Sequence, residues 1–141
     1  MFLQFFQQLF CFFLHVGETG SFRKPLRREE EQACFEALAA GDRSAREKLI
    51  LHNMRLVAHV IKKYGMPQPE QEELISIGTV GLVKAVDSFD CTKGARFATY
   101  ASKCINNEIL MNFRSQKKHA DQIYMGEPIE TDGDGNLIDQ R

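Results

Sequence analysis

The sequence has little of what several functional classes require. Its four cysteines, Cys11, Cys34, Cys91 and Cys104, are scattered, with no CxxC pair and no histidine at metal-ligand spacing, which argues against a zinc site. No export signal stands before them, so they read as thiols of a reducing cytoplasm. No apolar run reaches the roughly 20 residues that a membrane-spanning helix needs. Only four prolines and ten glycines stand against 43% hydrophobic residues, which excludes a chain disordered throughout. His15, His52, His59 and His119 are scattered and none accompanies a nucleophile, so neither an enzyme nor a cofactor is expected. An excess of positive charge is missing too: the formal net charge is −1, where nucleic-acid-binding domains usually show a surplus of bases.

That average conceals a segregation. Between Lys93 and His119 the bases are Lys93, Arg96, Lys103, Arg114, Lys117 and Lys118, against Glu108 alone, so this stretch carries +5 and the rest of the chain −6. One segment is a basic patch.

Residues 1–16 are of another kind, holding six of the eleven phenylalanines and no fixed charge. They lack the basic start and small-residue cleavage site of a secretory signal. Two readings stay open. One is a segment lying on a membrane surface, with Gln4, Gln7 and Gln8 on one helical face and Arg23, Lys24, Arg27 and Arg28 near anionic headgroups. The other is an aggregation-prone leader without a role. The leader is assigned to residues 1–24, a helical domain to 25–118 and a linker to 119–141.

Within the domain, Arg27 to Ala40 is rich in Glu and Ala and predicts a first helix that stops at Gly41. Asp42 caps a long second helix, in which Leu49, Asn53, Leu56, Val57, Val60, Ile61 and Tyr64 recur at helical spacing up to Gly65. Two prolines make Gly65 to Pro69 a loop. The third helix starts near Glu70, where Glu70, Glu72 and Glu73 complement the positive end of the helix dipole. Its apolar stripe is Leu74, Ile77, Gly81, Leu82, Ala85 and Phe89. Gly78 and Gly81 each cost a helix about 1 kcal/mol, which predicts another backbone packed closely against them. Asp90 to Gly94 is a turn, and a fourth helix from Arg96 to about Arg114 buries Phe97, Ala101, Cys104, Ile105 and Ile109.

No strand pattern interrupts the series, so the expected fold is all-α, a compact bundle of about four helices. Beyond Lys118 the acidic, glycine-containing EPIETDGDGNLID reads as a hairpin or linker around Asp134 and Gly135. Asp132, Asp134 and Asn136 have the spacing of the first calcium-loop ligands, but Leu137 stands where that loop needs glycine and no glutamate follows.

On the fourth helix Tyr100, Lys103, Asn107, Leu110 and Arg114 recur every three or four residues and so share a face opposite the buried face to which Phe97 belongs. Lys103 and Arg114 can neutralise phosphates, Asn107 can pair with a base edge, and Tyr100 offers a ring on which an unpaired base can stack. Spacing alone supports this strand-binding face and a solvated polar face equally.

The segments NMRLVAHVIKKYG, EELISIGTVGLVKAVDSFD and KGARFATYASKCINNEIL, in that order and spacing, resemble region two of the sigma-70 family over about residues 44–118. Within that family the likeness is to sporulation sigma factors of the sigma-K kind, through NEILM, the basic run after it and EPIETDGDGN. The resemblance implies a transcription initiation factor with two partners, core RNA polymerase and promoter DNA. The third helix, with Glu70, Glu72, Glu73 and Ser76, would dock on the clamp helices of the beta-prime subunit. Lys93, Phe97 and Tyr100 would lie along the melted minus-ten element, and Asn107 and Leu110 would read its upstream end as duplex; Arg96, Lys103 and Arg114, from the basic patch, complete the expected DNA-binding set.

In primary sigma factors two adjacent tryptophans occupy the positions of Lys103 and Cys104 and wedge the duplex open. This chain has no tryptophan, which points to a stricter, alternative-type promoter specificity. The resemblance also makes the apolar leader similar to a pro-sequence that holds a cytoplasmic precursor at a membrane until a processing protease cuts, here between Leu14 and Arg23. A second helix-turn-helix domain of the family is not within these residues, so the expectation is an N-terminal fragment, either part of a split gene or a decoy that occupies polymerase.

Overall fold

In a computed structural model of the chain, residues 22–126 are described, together with Gln4 and Gln7. The elements are α1 (Arg28–Ala39), α2 (Arg43–His52), α3 (Met54–Lys62), α4 (Gln68–Ser88), a 3-10 turn (Cys91–Lys93) and α5 (Phe97–Gly126). No strand occurs among the described residues, in keeping with the all-α expectation.

Two helix starts rest on side-chain chemistry. The carboxylate of Glu30 accepts the backbone N–H of Arg27 at 3.1 Å at the head of α1. Asp42 heads α2 as expected, accepting from the backbone N–H and hydroxyl of Ser44 at 2.9 and 2.7 Å. These bonds favour the ionised Asp42, whose carboxyl titrates below the ordinary aspartate range; the Ser44 hydroxyl is the larger cause. Between α1 and α2, Gly41 turns the chain with φ of 96°, a conformation that glycine adopts without steric cost.

The single long helix expected from Asp42 to Gly65 is two helices. Asn53 is the reason: its Nδ2 donates to the carbonyl of Leu49 at 2.7 Å, taking an acceptor that a continuous helix would give to a backbone N–H. The backbone there (φ −111°, ψ 6°) leaves the helical region, and its N–H turns to the carbonyl of Ile50 at 3.2 Å. The expected loop Gly65–Pro69 is shorter than predicted, because α4 already begins at Gln68. Pro69 is tolerated in the first turn, where its missing N–H would have had no intrahelical acceptor.

The chain divides into two units, Met1–Ile109 and Leu110–Arg141. In the first, α1 packs on α2, and α4 packs on both α2 and α3. The centre is Leu49, Ile50, Val57, Leu82, Phe97, Ile105 and Ile109, each at most 1% exposed. Of the face expected to be buried on the last helix, Phe97, Ala101, Ile105 and Ile109 are buried, while Cys104 is only half-buried. Two ion pairs tie helices together: Arg46 to both oxygens of Asp87 at 2.7 and 3.0 Å, and Lys84 to both oxygens of Glu108 at 3.0 Å.

Residues 22–27, which precede α1, form no regular element and touch the domain at one point. The carbonyl of Lys24 lies 2.8 Å from His52 Nδ1, and because a carbonyl only accepts, that nitrogen carries the proton. Phe22 and Leu26 flank the contact half-buried, so the leader assigned to residues 1–24 overlaps a docked segment.

In the second unit α5 continues to Gly126, where the sequence reading ends the helix near Arg114 and begins a linker at His119. No glycine or proline interrupts residues 97–125, and that run sustains a helix although its polar composition hides the periodicity. Gln4 and Gln7 are helical and exposed. The rest of the leader up to residue 21, and the hairpin or linker expected from residue 127 on, lie outside the described residues.

Candidate nucleic-acid interface

The lead-in to α5 is set by one aspartate and one glycine. Asp90 accepts the hydroxyl of Thr92 at 2.6 Å and its backbone N–H at 2.9 Å, closing the 3-10 turn. Those two bonds, the hydroxyl first, hold the Asp90 carboxyl below the usual aspartate range. Gly94 then takes φ of 74°, and the first backbone bond of α5 runs from the N–H of Tyr100 to the carbonyl of Arg96 at 3.2 Å. Lys93 and Arg96 are both exposed on this lead-in.

Behind them stands an aromatic cluster contributed by three elements. The rings of Phe35 from α1, Phe89 from the end of α4 and Phe97 from α5 have centroids 4.9 to 5.2 Å apart. Aromatic pairs in this range gain about 0.5–1.5 kcal/mol beyond the area they bury. Tyr100 joins from outside, its ring 5.5 Å from Phe89 and its hydroxyl 2.8 Å from Ser88 Oγ. Tyr100 is half-buried, whereas Phe97 is 1% exposed. The sequence reading gave Phe97 two places, in the core and along the strand; in this structure its ring is part of the core.

Further along α5, Lys103 and Asn107 are exposed four residues apart, one helical turn, and so follow Tyr100 on the outer face. Asn106, beside Asn107, is bonded by the hydroxyl of Tyr64, which ties the end of α3 to this helix. Glu108, the one acid of the basic stretch, is neutralised by Lys84. Leu110, half-buried, and Arg114, exposed, belong to the second unit. Of the eight expected strand-binding residues, the first unit brings Lys93, Arg96, Tyr100, Lys103 and Asn107 to the surface of one short stretch.

The acidic residues form a separate surface. Glu70, Glu72, Glu73 and Ser76 are exposed on the first turns of α4, and the Ser76 hydroxyl donates to the carbonyl of Glu72 at 3.3 Å. Val80, 48% exposed, continues the row of Glu73 and Ser76 at helical spacing. A single exposed apolar side chain is ordinary at a protein surface, and sequence reasoning did not mark Val80 because it lies off the apolar stripe.

Ser88 and Phe89 are also missed as partners of Tyr100, and Phe35 as the ring behind Phe89. The only signal for Phe35 is that it is the one aromatic in a helix of Glu and Ala, and nothing local marks Ser88. Among the described residues no three histidine, cysteine or carboxylate side chains converge as a metal site would require. No helix among them is long and apolar enough to cross a membrane.

Comparison with known proteins places these surfaces in a family. The family model for Sigma-70 region 2 matches residues 49–119, the interval that holds α4 and most of α5. The chain is 43% identical over 132 residues to the RNA polymerase sigma-28 factor of Bacillus thuringiensis subsp. kurstaki, covering 94% of this chain and 55% of the relative. It is 43% identical over 124 residues to the RNA polymerase sigma-E factor of Clostridium acetobutylicum, covering 88% and 53%. With the RNA polymerase sigma-K factor of Bacillus subtilis it shares 45% identity over 100 residues, covering 71% and 34%. The chain thus spans about half the length of the first two relatives and a third of the last.

Proposed function

Because the chain belongs to the sigma-70 family of sigma factors, in its sporulation-type branch, we propose that it binds core RNA polymerase through α4 and captures the minus-ten promoter element along α5. Glu70, Glu72, Glu73 and Ser76 are the polymerase-facing residues, suited to a basic surface such as the clamp helices of the beta-prime subunit. Lys93, Arg96, Lys103 and Arg114 neutralise strand phosphates, Tyr100 stacks on an unpaired base, and Asn107 with Leu110 reads the upstream, duplex end.

The observation that carries this reading is the position of Tyr100: an aromatic ring at the surface of a basic stretch, with Lys93 and Arg96 before it and Lys103 and Asn107 after it. Base stacking on such a ring contributes about 1–3 kcal/mol, so one platform helps to hold a strand open. The test is protection of a single-stranded non-template oligonucleotide by the chain with core polymerase. Protection should weaken with salt, and with six bases in the stretch the log-log slope should not exceed about 4 in magnitude. Protection that is absent, or indifferent to salt, rejects the reading.

A second reading is a region-two module that occupies polymerase without holding a strand. What favours it is Lys103, exposed, and Cys104, half-buried, where the family resemblance puts the tryptophan wedge. Such a decoy binds core enzyme and gives no strand protection, so the same experiment separates the two.

The leader reading is part of the proposal: residues 1–20 hold a cytoplasmic precursor on a membrane surface for a processing protease. Deleting them should release the chain from membrane fractions and raise activity. A full-length chain that is already soluble and active overturns it.

A further inference from the structure

We propose that Ser88 is a positioning residue for strand capture, holding the ring of Tyr100 as a prepared platform for an unpaired base. The inference rests on the stacking role given to Tyr100 above.

Three contacts fix the geometry. Ser88, the last residue of α4, has its Oγ 2.7 Å from the carbonyl of Lys84. A carbonyl only accepts, so the single hydroxyl hydrogen of Ser88 is used there, and Ser88 Oγ meets Tyr100 as an acceptor. Tyr100 therefore donates its hydroxyl hydrogen to Ser88 across 2.8 Å. The third contact is the ring of Phe89, 5.5 Å from that of Tyr100 and itself backed by Phe35 and Phe97.

Tyr100 is thus held at its tip by a hydrogen bond and on its ring by an aromatic cluster. A tyrosine loose on a helix surface must give up rotamer freedom when a base stacks on it, and that loss weakens binding. Here the freedom is already lost in the folded chain. The turn from Asp90 to Gly94 makes this arrangement by folding α5 back beside the end of α4. Ser88 is exposed and outside the apolar core, so replacing it does not threaten the fold.

The experiment uses the full chain with core RNA polymerase and a short fluorescein-labelled oligothymidine carrying one central adenine, with binding read by anisotropy. Ser88→Ala should weaken binding about two- to tenfold, the range for losing one neutral hydrogen bond. Ser88→Thr keeps the hydroxyl and should restore it. In a Tyr100→Phe background, which lacks the donor, Ser88→Ala should have no further effect, a result that a merely structural role of Ser88 would not give.

The proposal is overturned if Ser88→Ala binds as well as or better than the parent chain while Tyr100→Ala weakens binding. It is equally overturned if Ser88→Ala weakens binding to the same extent with and without the tyrosine hydroxyl. If Tyr100→Ala leaves binding unchanged, the stacking role itself falls, and the inference falls with it.

Discussion

Gly81 of α4 and Ile105 of α5 meet backbone against backbone: a Cβ on Gly81 would stand 2.7 Å from Ile105 Cα and 3.0 Å from the carbonyl oxygen of Cys104. A methyl group there must push two helices apart. Overpacking of this kind costs about 1–3 kcal/mol, of which the better helix propensity of alanine offsets up to about 1. Gly81→Ala should therefore lower the melting temperature by several degrees in a circular dichroism melt. Gly78→Ala should cost less, because its nearest obstacle, Val57 Cγ1 at 2.9 Å, is a side-chain end that can shift. A Gly81→Ala protein as stable as its parent would contradict the close approach.

Asn107 is exposed on the outer face of α5, one turn beyond Lys103. An asparagine that pairs with a base edge discriminates by about 1–3 kcal/mol at one position. Asn107→Ala should flatten the preference at a single promoter position in a binding-site selection, while core polymerase affinity stays as it was. An unaltered preference profile would remove Asn107 from base reading.

The Arg46–Asp87 pair is bidentate at 2.7 and 3.0 Å, yet its side chains are 30% and 47% exposed. Solvent at that exposure limits a pair to about 0.2–1 kcal/mol. Asp87→Ala should lose a fraction of a kcal/mol in urea unfolding at low salt, and the difference should shrink as ionic strength rises. A salt-independent loss would mean that Asp87 acts by packing.

The lowered carboxyls of Asp42 and Asp90 set the sign of the acid response. Because the folded state favours their charged forms, the stabilisation is complete above the ordinary aspartate value, about 3.9, and is lost as pH falls through the lowered folded values. Glu31 acts with the opposite sign: burial raises its carboxyl, so its contribution fades as pH rises through the raised value. Side-chain carboxyl NMR should find Asp42 and Asp90 titrating below Glu31. Asp42→Ala and Asp90→Ala should be less stable than the parent at neutral pH, with the gap closing in strong acid.

Where each helix could be read in advance, a local rule was enough. Gly41 stops α1, Asp42 heads α2, and the recurrence of Val57, Val60 and Ile61 marks α3, since each depends on neighbours within one turn. The prediction from Gly81 that a second backbone lies close was also available, because a glycine inside a helix needs such a reason. What failed failed for a physical cause: Asn53 turned its side chain to its own helix, and Pro69 entered the first turn of α4, where it does no harm.

The amino-acid sequence by itself determined the all-helical class, the segregation of bases from acids, and the family carried by residues 49–119. These depend on composition, period and the order of motifs, all of which survive without coordinates. Only the tertiary structure decided that Phe97 is core while Tyr100 is surface, though both are aromatics at the start of one helix. Three residues apart, their side chains project about 60° from one another around the helix, and contacts from α1 and α4 fix which ring is covered. The acceptor for the Tyr100 hydroxyl, Ser88, comes from a different helix, and no period within either sequence segment could have paired them.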